Sequence, residues 1–192
     1  METILTNLEE MESRFAITDV LHRYARGLDR MDKAMTLSCW HAGGTDDHAP
    51  MYAGSAAGFI EWLWPVHASL EMTHHNISNI LIDVDGDRAG SECYWHVTLR
   101  KNVDGVWWDS ISQGRYVDRF ERIDGVWAIR HRQSLHDWNR TEKLALRRGD
   151  QGLPVIVVPN NPEVSPPPNR RDLGDYSYQV LKRRFGAAKQ QA

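Results

Sequence analysis

The chain has 192 residues, a formal net charge of −3 and an ordinary charged fraction of 26%. This length suits one domain with a sizeable core, and the near-neutral charge argues against nucleic acid and membrane surfaces as partners. No apolar run approaches the ~20 residues that span a bilayer. Two cysteines without motif spacing, Cys39 and Cys93, and an acidic start unlike a targeting peptide lead us to expect a reduced, cytoplasmic protein.

A long amphipathic helix is predicted over residues 7–30, because apolar residues recur there at three- and four-residue steps. Tyr24 and Asp29 lie near its C-terminal end, about 140° apart around the helix axis. They share a pocket only if the helix loosens near Gly27 or the cavity wraps round the helix end. An acid there is unfavourable in the dipole field, so Asp29 is a candidate functional residue, with a solvated terminal residue as the alternative.

Two further helices are predicted, at residues 32–40 and 54–70, with a loop at residues 41–50 between them. Pro65 is expected to kink or end the second of them. The chain has eight tryptophans, and such a surplus suggests aromatic walls around a ligand or at a subunit contact. The tryptophans of this region are wall candidates, with core packing as the alternative: Trp40, Trp62 and Trp64.

From residue 77 onward the apolar period changes to two, which is typical of strands. Four strands are predicted, at residues 78–85, 89–101, 106–121 and 125–138. Acidic-glycine turns separate them and predict an antiparallel meander. We therefore expect an α+β fold, in which a curved, cone-shaped antiparallel sheet packs on three N-terminal helices and leaves a blind pocket.

Two adjacent histidines, His74 and His75, precede the first predicted strand. A histidine in this position has its backbone held by the strand ladder while its ring can face a cavity. We predict His75 as a general base or acid, with a carboxylate partner from the first helix. The alternative is that both are polar loop residues, and the sequence does not decide which of the two faces the pocket.

The composition changes after Trp138 and becomes rich in proline and asparagine. We predict a domain over residues 1–148 and a Pro-rich arm over residues 149–192. The arm is expected to lie on the domain or on a neighbouring subunit, with a partly disordered tail as the alternative.

Three spaced motifs carry a resemblance to a known family. They are Tyr-x4-Asp-x2-Asp from Tyr24 to Asp32, His-x3-Asn from His75 to Asn79, and Asp-Gly-Val-Trp ending at Trp127. In this order they resemble the SnoaL-like branch of the nuclear-transport-factor-2-like (NTF2-like) superfamily, over about residues 8–140. The resemblance implies a cone-shaped α+β barrel and a homodimer or homotrimer.

Within that branch the chain looks most like cofactor-independent lyases, namely hexachlorocyclohexane dehydrochlorinase, scytalone dehydratase and bile-acid dehydratase. The resemblance implies that Asp29 orients His75 for proton removal and that Tyr24 is catalytic. The Leu63-Trp64-Pro65 segment also matches the dehydrochlorinase. That enzyme's arginine on the last strand is matched here by His131, between two arginines, which argues against chloride as the leaving group.

These observations predict a cofactor-independent lyase that acts on a hydroxylated aromatic or polycyclic small molecule by dehydration or by retro-aldol-type cleavage such as formaldehyde release. His75 is the base, Asp29 its orienting partner, and Tyr24 and His131 supply an acid or polar clamp. No metal is predicted, because the histidines and aspartates of residues 41–48 lack a ligand motif. The predicted substrate-binding residues are Trp40, Trp64, Trp95, His96 and Tyr116. An isomerase or cyclase, and a non-catalytic protein similar to a ring-hydroxylating dioxygenase small subunit, remain as alternatives.

Overall fold

The computed structural model describes residues 8–144 and 169–181. Its helices are α1 (Leu8–Asp29), α2 (Lys33–Leu37), α3 (Ala56–Ala68) and α4 (Tyr176–Val180). Its strands are β1 (Trp40–His48), β2 (Tyr52–Ser55), β3 (Met72–Asp85), β4 (Arg88–Val103), β5 (Val106–Ile123) and β6 (Val126–Lys143). None of the described helices is long and apolar enough to cross a membrane.

The predicted α+β class is confirmed: a curved sheet packs on helices α1 to α3, although β1 and β2 precede α3 in the chain. The sheet has six strands in the order β2-β1-β6-β5-β4-β3. The predicted antiparallel meander runs from β3 to β6, with tight turns at its three acidic-glycine sites. The tertiary structure adds a parallel pairing of β1 with β6.

The prediction of a loop at residues 41–50 was wrong, because β1 covers most of that segment. Its residues, two glycines followed by threonine and two aspartates, have low strand propensity. Pairing with β6 on one side and β2 on the other fixes them as a strand. Strand β3 also begins earlier than predicted, at Met72, so His74 and His75 lie inside a strand and not ahead of it.

A bulge in β3 aligns its inward-facing side chains. The register shifts between Ser78 and Leu81, and Asn79 has a φ of 51°. Asparagine tolerates this left-handed conformation better than most residues. Without the extra residue, His75 and Ile80 would face opposite sides of the sheet, since their spacing is odd. With it, the side chain of His75 and the apolar residues that follow all point to the core.

The hydrophobic core lies between α1, α3 and the inner face of the sheet. Its fully buried members from the helices are Ile17, Val20, Leu21, Tyr24, Leu28, Phe59 and Ile60. Those from the sheet include Cys93, Trp95, Tyr116, Phe120 and Ile129. Because β4 and β5 alternate buried with exposed residues, one face of the sheet is committed to this core.

Gly27 lets α2 pack tightly against the end of α1. A Cβ atom at this position would lie 2.3 Å from Thr36 Oγ1 and 3.0 Å from the backbone nitrogen of Thr36. The helix does not loosen at Gly27, since α1 continues to Asp29. The glycine is therefore a packing requirement, which holds the end of α1 and Asp29 in place.

We expect Gly27→Ala to lower the free energy of unfolding by about 1–3 kcal/mol through overpacking against Thr36. The better helix propensity of alanine, worth about 1 kcal/mol, offsets part of this loss. Urea unfolding measures the change. Gly90→Ala is the matched control, since a Cβ at Gly90 meets nothing within 4 Å. Equal stability of the two variants would contradict the packing requirement.

The described part of the C-terminal arm packs on its own domain. Tyr178 donates a hydrogen bond of 2.8 Å to Asp32 Oδ2, and the guanidinium of Arg26 lies 4.5 Å from the centre of the Tyr178 ring. Arg171 donates to the carbonyl oxygens of His67 and Leu70 at 3.2 and 2.6 Å. The rest of the predicted arm lies outside the described residues, and its packing on a neighbouring subunit stays a prediction.

Candidate active site

A cavity of about 280 Å³ opens between α1, α3 and the inner face of the sheet. Its inner wall is made of buried aromatic and aliphatic side chains: Tyr24, Leu28, Phe59, Trp95, Val97 and Tyr116. Its rim is made of more exposed residues: Met51, Trp62, Val66, His136 and Asn139. The volume lies near the lower end of the roughly 300–1,000 Å³ typical of small-molecule pockets.

A larger surface groove, of about 740 Å³, lies elsewhere, between Gly43, Arg88, Arg119 and Arg130. It is lined mainly by charged and exposed side chains and does not include His75 or Tyr24. The smaller cavity is the better candidate site, because it combines an apolar wall with a few converging polar groups.

Asp29 and His75 form a hydrogen-bonded pair at this cavity. The Nδ1 atom of His75 lies 2.6 Å from Asp29 Oδ1, and the backbone N–H of His75 donates to Asp29 Oδ2 at 2.9 Å. The side chain of His75 is only 6% exposed, and that of Asp29 is 12% exposed. Because an ionised carboxylate only accepts, the hydrogen of a neutral His75 ring lies on Nδ1 and Nε2 is left as the basic nitrogen.

Chain topology explains how this pair forms. Asp29 is the last residue of α1, and β3 passes close to that end, where the backbone N–H of His75 meets the carboxylate. Two hydrogen bonds from one residue hold the carboxylate in place at a helix end where the dipole disfavours it. Tyr24 lines the cavity directly, whereas Asp29 does not line it and contacts it through His75. His74 points away from the core and is exposed.

His67, in the last turn of α3, stacks on the ring of His75, with 5.9 Å between ring centres. The pKa of His67 is lowered to about 3, mainly by burial and also by the neighbouring His75 and Arg171, while Asp29 opposes them. His67 is therefore neutral near pH 7. It adds an uncharged polar ring to the wall beside the dyad.

We expect His67 to make the protein less stable in mild acid. The unfolded chain binds a proton at this residue below its ordinary pKa of 6.5, whereas the folded chain does not until about pH 3. Stability is therefore lost as the pH falls through this window, at about 1.4 kcal/mol per pH unit. From pH 6.5 to pH 5 the loss is about 2 kcal/mol.

Urea unfolding at pH 8 and pH 5 tests this prediction. His67→Gln should lose about 2 kcal/mol less than the unmodified chain on going to pH 5. His74→Gln, which alters an exposed side chain, should keep the original pH dependence. The same acid sensitivity in all three proteins would refute the assignment to His67.

A buried ion pair lies behind the inner wall. Arg132 donates two hydrogen bonds, of 2.8 and 2.6 Å, to Asp118, and both side chains are 0% exposed. The Arg132 guanidinium lies between the rings of Tyr24 and Tyr116, at 4.2 and 3.9 Å from their centres. Burial alone would lower the pKa of Arg132, but Asp118 outweighs it and holds that pKa above its usual value. The guanidinium is therefore a fixed positive charge.

The two tyrosines are neutral hydroxyl groups at this wall. Burial raises the pKa of both Tyr24 and Tyr116 above the ordinary value. Their rings meet edge to face, with 5.7 Å between ring centres. Both can therefore donate or accept a hydrogen bond from the cavity wall without carrying charge.

A second carboxylate–imidazole pair lies at the same cavity. The ring Nδ1 of His48 is hydrogen-bonded to Asp46 Oδ1, and His48 stacks on Phe59 with 4.3 Å between ring centres. Asp46 is fully buried, while His48 lines the cavity. The two residues are two apart on β1, so they share a face.

Of the predicted site residues, the structure brings Asp29, His75, Tyr24, Trp95 and Tyr116 together at the cavity. Trp40 and Trp64 pack in or against the core and do not line the cavity. Trp62, the third tryptophan considered in that region, does line the cavity.

Two of the predicted residues are removed from the candidate site. His96 and His131 lie on the opposite face of the sheet, because strand alternation turns them away from Trp95 and Arg132. His131 Nδ1 contacts Thr45 Oγ1 at 2.8 Å, outside the cavity. The residue on β6 that points inward is Arg132, one position further along the strand.

Sequence reasoning missed three histidines at the cavity: His48, His67 and His136. His48 was placed in a loop, where the alternation rule does not apply. If β1 had been recognised as a strand, the spacing of Asp46 and His48 would have put them on one face. His67 lies one turn beyond Leu63 on α3 and could have been found from helical spacing.

Within the described residues, no group of three or more His, Cys, Asp or Glu side chains is placed to hold a metal ion. The acidic and histidine residues of β1 are paired separately. His41 contacts the carbonyl oxygen of Glu121 at 2.9 Å, and Asp47 caps the backbone N–H of Ala49 at 2.9 Å.

A curved sheet closed by helices over one blind cavity is the architecture of NTF2-like proteins. The chain belongs to the SnoaL-like family within them, since the family described as "SnoaL-like domain" matches residues 9–133. No curated protein sequence matches the chain significantly.

Solved structures of similar fold include a protein described as a scytalone dehydratase from Novosphingobium aromaticivorans, with 23% identity and a TM-score of 0.60. That likeness covers 74% of this chain and 92% of the other. The hexachlorocyclohexane dehydrochlorinase LinA-type3 from Novosphingobium barchaimii is 20% identical, with a TM-score of 0.62 over 77% of this chain and 99% of the other. At these identities the likeness establishes the fold alone.

Proposed function

We propose that this protein is a cofactor-independent lyase for a hydroxylated aromatic small molecule. The observation that carries the proposal is the Asp29–His75 pair, buried at the wall of an apolar, tryptophan-lined cavity. Such a pair supplies a base that works at neutral pH. The names of the similar structures, a dehydratase and a dehydrochlorinase, agree with elimination chemistry but do not fix it.

In the proposed reaction His75 Nε2 removes a proton from a carbon next to a carbonyl group. Asp29 keeps the hydrogen on Nδ1 and stabilises the imidazolium that forms. The apolar wall excludes water and so strengthens this interaction. The electrons released from the C–H bond then expel a hydroxyl group from the neighbouring carbon. In a retro-aldol variant, the base instead takes a hydroxyl proton and a C–C bond breaks to release an aldehyde.

Tyr24 is proposed as a neutral clamp for the carbonyl oxygen of the substrate. Burial raises the pKa of Tyr24, which makes the phenol a weak acid but leaves its O–H as a donor. A donor aimed at an oxygen that gains negative charge stabilises the transition state. Arg132, beneath the Tyr24 ring, adds positive charge on that side.

The size of the cavity favours the smaller members of the predicted substrate class. A volume of about 280 Å³ suits an aromatic compound of one or two rings better than a large polycyclic one. Trp95 and Tyr116 stack with 5.8 Å between ring centres and offer a flat wall to such a ring.

An isomerase or cyclase would use the same base and the same cavity without a leaving group. A non-catalytic protein similar to a dioxygenase small subunit would not require the dyad. Product mass separates the first alternative from a lyase, and co-purification with an iron-containing large subunit would favour the second.

The probe compound scytalone, a bicyclic hydroxylated aromatic ketone that can lose water, tests the proposal. We expect the protein to dehydrate scytalone or a related β-hydroxy ketone, detected by mass spectrometry as loss of one water. His75→Gln should abolish that activity and His74→Gln should retain it. Unchanged product mass would favour an isomerase, and full activity of His75→Gln would refute the dyad.

Self-association as a homodimer or homotrimer stays a prediction. Apolar side chains on the face of the sheet away from α1 are exposed, including Tyr94 and Val117. An apolar sheet face of this kind is a feature of subunit contacts. Size-exclusion chromatography with light scattering measures the assembly.

A further inference from the structure

We propose that Asp46 and His48 form a second acid–base pair of the same cavity, in which His48 donates a proton to the departing hydroxyl group. This inference deepens the proposed function and rests on it. The two pairs then divide the work: His75 takes the proton from carbon, and His48 protonates the leaving oxygen.

The geometry of the second pair matches that of the first. Each imidazole uses Nδ1 to contact a buried carboxylate, and each ring lines the cavity. In both pairs Nδ1 is occupied by the aspartate, so Nε2 is the nitrogen left to exchange a proton. The two imidazoles come from β1 and β3, the second and the last strands of the six-stranded order, which the curved sheet brings to one cavity.

Packing holds the His48 ring in one orientation. It stacks on Phe59 with an interplanar angle of 11°, and its other neighbour is the ring of Tyr116 at 5.9 Å. His48 is followed by the turn at Ala49, which also lines the cavity. A ring fixed between two aromatic groups and tied to a carboxylate is placed for directed proton transfer.

Charge counting gives His48 the role of the acid. Asp46 and Arg132 are register partners on β1 and β6, and both are fully buried. Arg132 makes its two strong hydrogen bonds to Asp118, so one positive charge faces two carboxylates. Asp46 Oδ2 has no hydrogen-bond partner among the described residues. A proton on His48 completes the charge balance of this buried group, because a carboxylate without a counter-charge is costly there.

The surroundings of His75 act in the opposite sense. Its carboxylate partner Asp29 lies near Arg171, which also faces Glu71 and Arg30, and the neutral ring of His67 stacks on the ring of His75. Two carboxylates and two guanidinium groups balance there, so no excess negative charge calls for a proton on His75. The first group is therefore balanced and the second carries one uncompensated carboxylate, which is the environment expected for a base and an acid, respectively.

Titratable and charged groups face His48 from each element packed against it. They are Asp46 on β1, Tyr52 on β2, Tyr116 with Asp118 on β5, Arg132 with His136 on β6, and Tyr24 on α1. From helix α3, the apolar ring of Phe59 stacks on the ring of His48, and His67 lines the same cavity. Tyr24 and Tyr116 are neutral, so Asp46, Asp118 and Arg132 set the balance.

The step is balanced in atoms and electrons. His75 Nε2 takes the proton from carbon, the C–H pair becomes the new C=C bond, and the C–O bond breaks. The C–O electron pair leaves with oxygen, which takes the proton from His48 Nε2 and departs as water. His75 ends protonated and His48 neutral, and exchange with solvent restores both before the next turnover.

The protonation states are tested by nuclear magnetic resonance on the full chain labelled with ¹⁵N-histidine. At neutral pH we expect both ring nitrogens of His48 to be protonated, and His75 to be a neutral ring with hydrogen on Nδ1. The spectra of His48→Gln and His75→Gln assign the ring ¹⁵N signals, because each variant lacks the signals of the replaced histidine. Asp46→Asn should convert His48 to a neutral ring, while His74→Gln should change neither signal. A neutral His48 in the unmodified chain would overturn the inference.

Kinetics with scytalone separates this inference from the proposed function. His48→Gln should lower kcat for water loss from scytalone about 10²–10⁴-fold, the range of general acid catalysis. His74→Gln, at an exposed side chain, should keep the full rate. If His75→Gln is inactive while His48→Gln keeps full dehydratase activity, the inference fails and the proposed function stands. Full activity of His75→Gln would refute both the proposed function and this inference.

Discussion

Asp29→Asn is expected to lower kcat by about 10³–10⁴-fold while the protein stays folded. An asparagine can still accept the hydrogen bond from the backbone N–H of His75, now made to Asp29 Oδ2 at 2.9 Å. Its amide NH₂ group, however, faces Nδ1 of the ring and forces the hydrogen of His75 onto Nε2. The nitrogen that faces the substrate is then no longer a base.

Steady-state kinetics of scytalone dehydration measures this effect, and thermal unfolding checks that the protein stays folded. Asp83→Asn is the matched control, since Asp83 is an exposed carboxylate on the same strand as His75. The control should keep full activity, and Asp29→Asn should show little change in KM because the cavity walls are intact. Activity of Asp29→Asn within tenfold of the unmodified protein would contradict the orienting role.

Arg132→Met is expected to lower the free energy of unfolding by about 3–5 kcal/mol, the cost of breaking a buried ion pair. The guanidinium is 0% exposed, and its removal leaves Asp118 without its counter-charge. Asp46, its register partner on β1, loses the same positive charge. The rings of Tyr24 and Tyr116 also lose the group packed between them.

The chain offers a matched control in Arg100→Met. Arg100 contacts Asp109 with the same two-bond geometry, at 2.7 and 2.6 Å, but its side chain is 28% exposed. Water solvates the partner left behind, so we expect a loss of about 1 kcal/mol or less. The double variant Arg132→Met with Asp118→Leu should regain part of the lost stability. Similar losses for Arg132→Met and Arg100→Met, measured by urea unfolding, would contradict the assignment of the cost to burial.

Much of the fold could be predicted because its signals are local. The first helix shows a 3.6-residue apolar period, and the four long strands show a period of two interrupted by acidic-glycine turns. The turn glycines have φ values of 59°, 80° and 78°, conformations that favour this residue. These signals depend only on neighbours along the chain, and so they survive without tertiary information.

Strand β1 could not be predicted because its stability comes from pairing with distant residues. Its Gly-Gly-Thr-Asp-Asp sequence favours a loop, and β6, some ninety positions later, supplies the hydrogen bonds. The error hid the alternation that places Asp46 and His48 on one face. One missed strand therefore concealed a complete carboxylate–imidazole pair.

The sequence by itself determined the α+β class, the antiparallel meander and the pairing of an acid from α1 with one of two adjacent histidines. Tertiary structure decided which histidine that is, through the strand alternation that turns His75 inward and His74 outward. It also replaced His131 by Arg132 as the inward group of β6 and brought His48 to the cavity. The physical reason is that alternation fixes a side chain's face only after the strand's limits and partners are known, and those depend on long-range pairing.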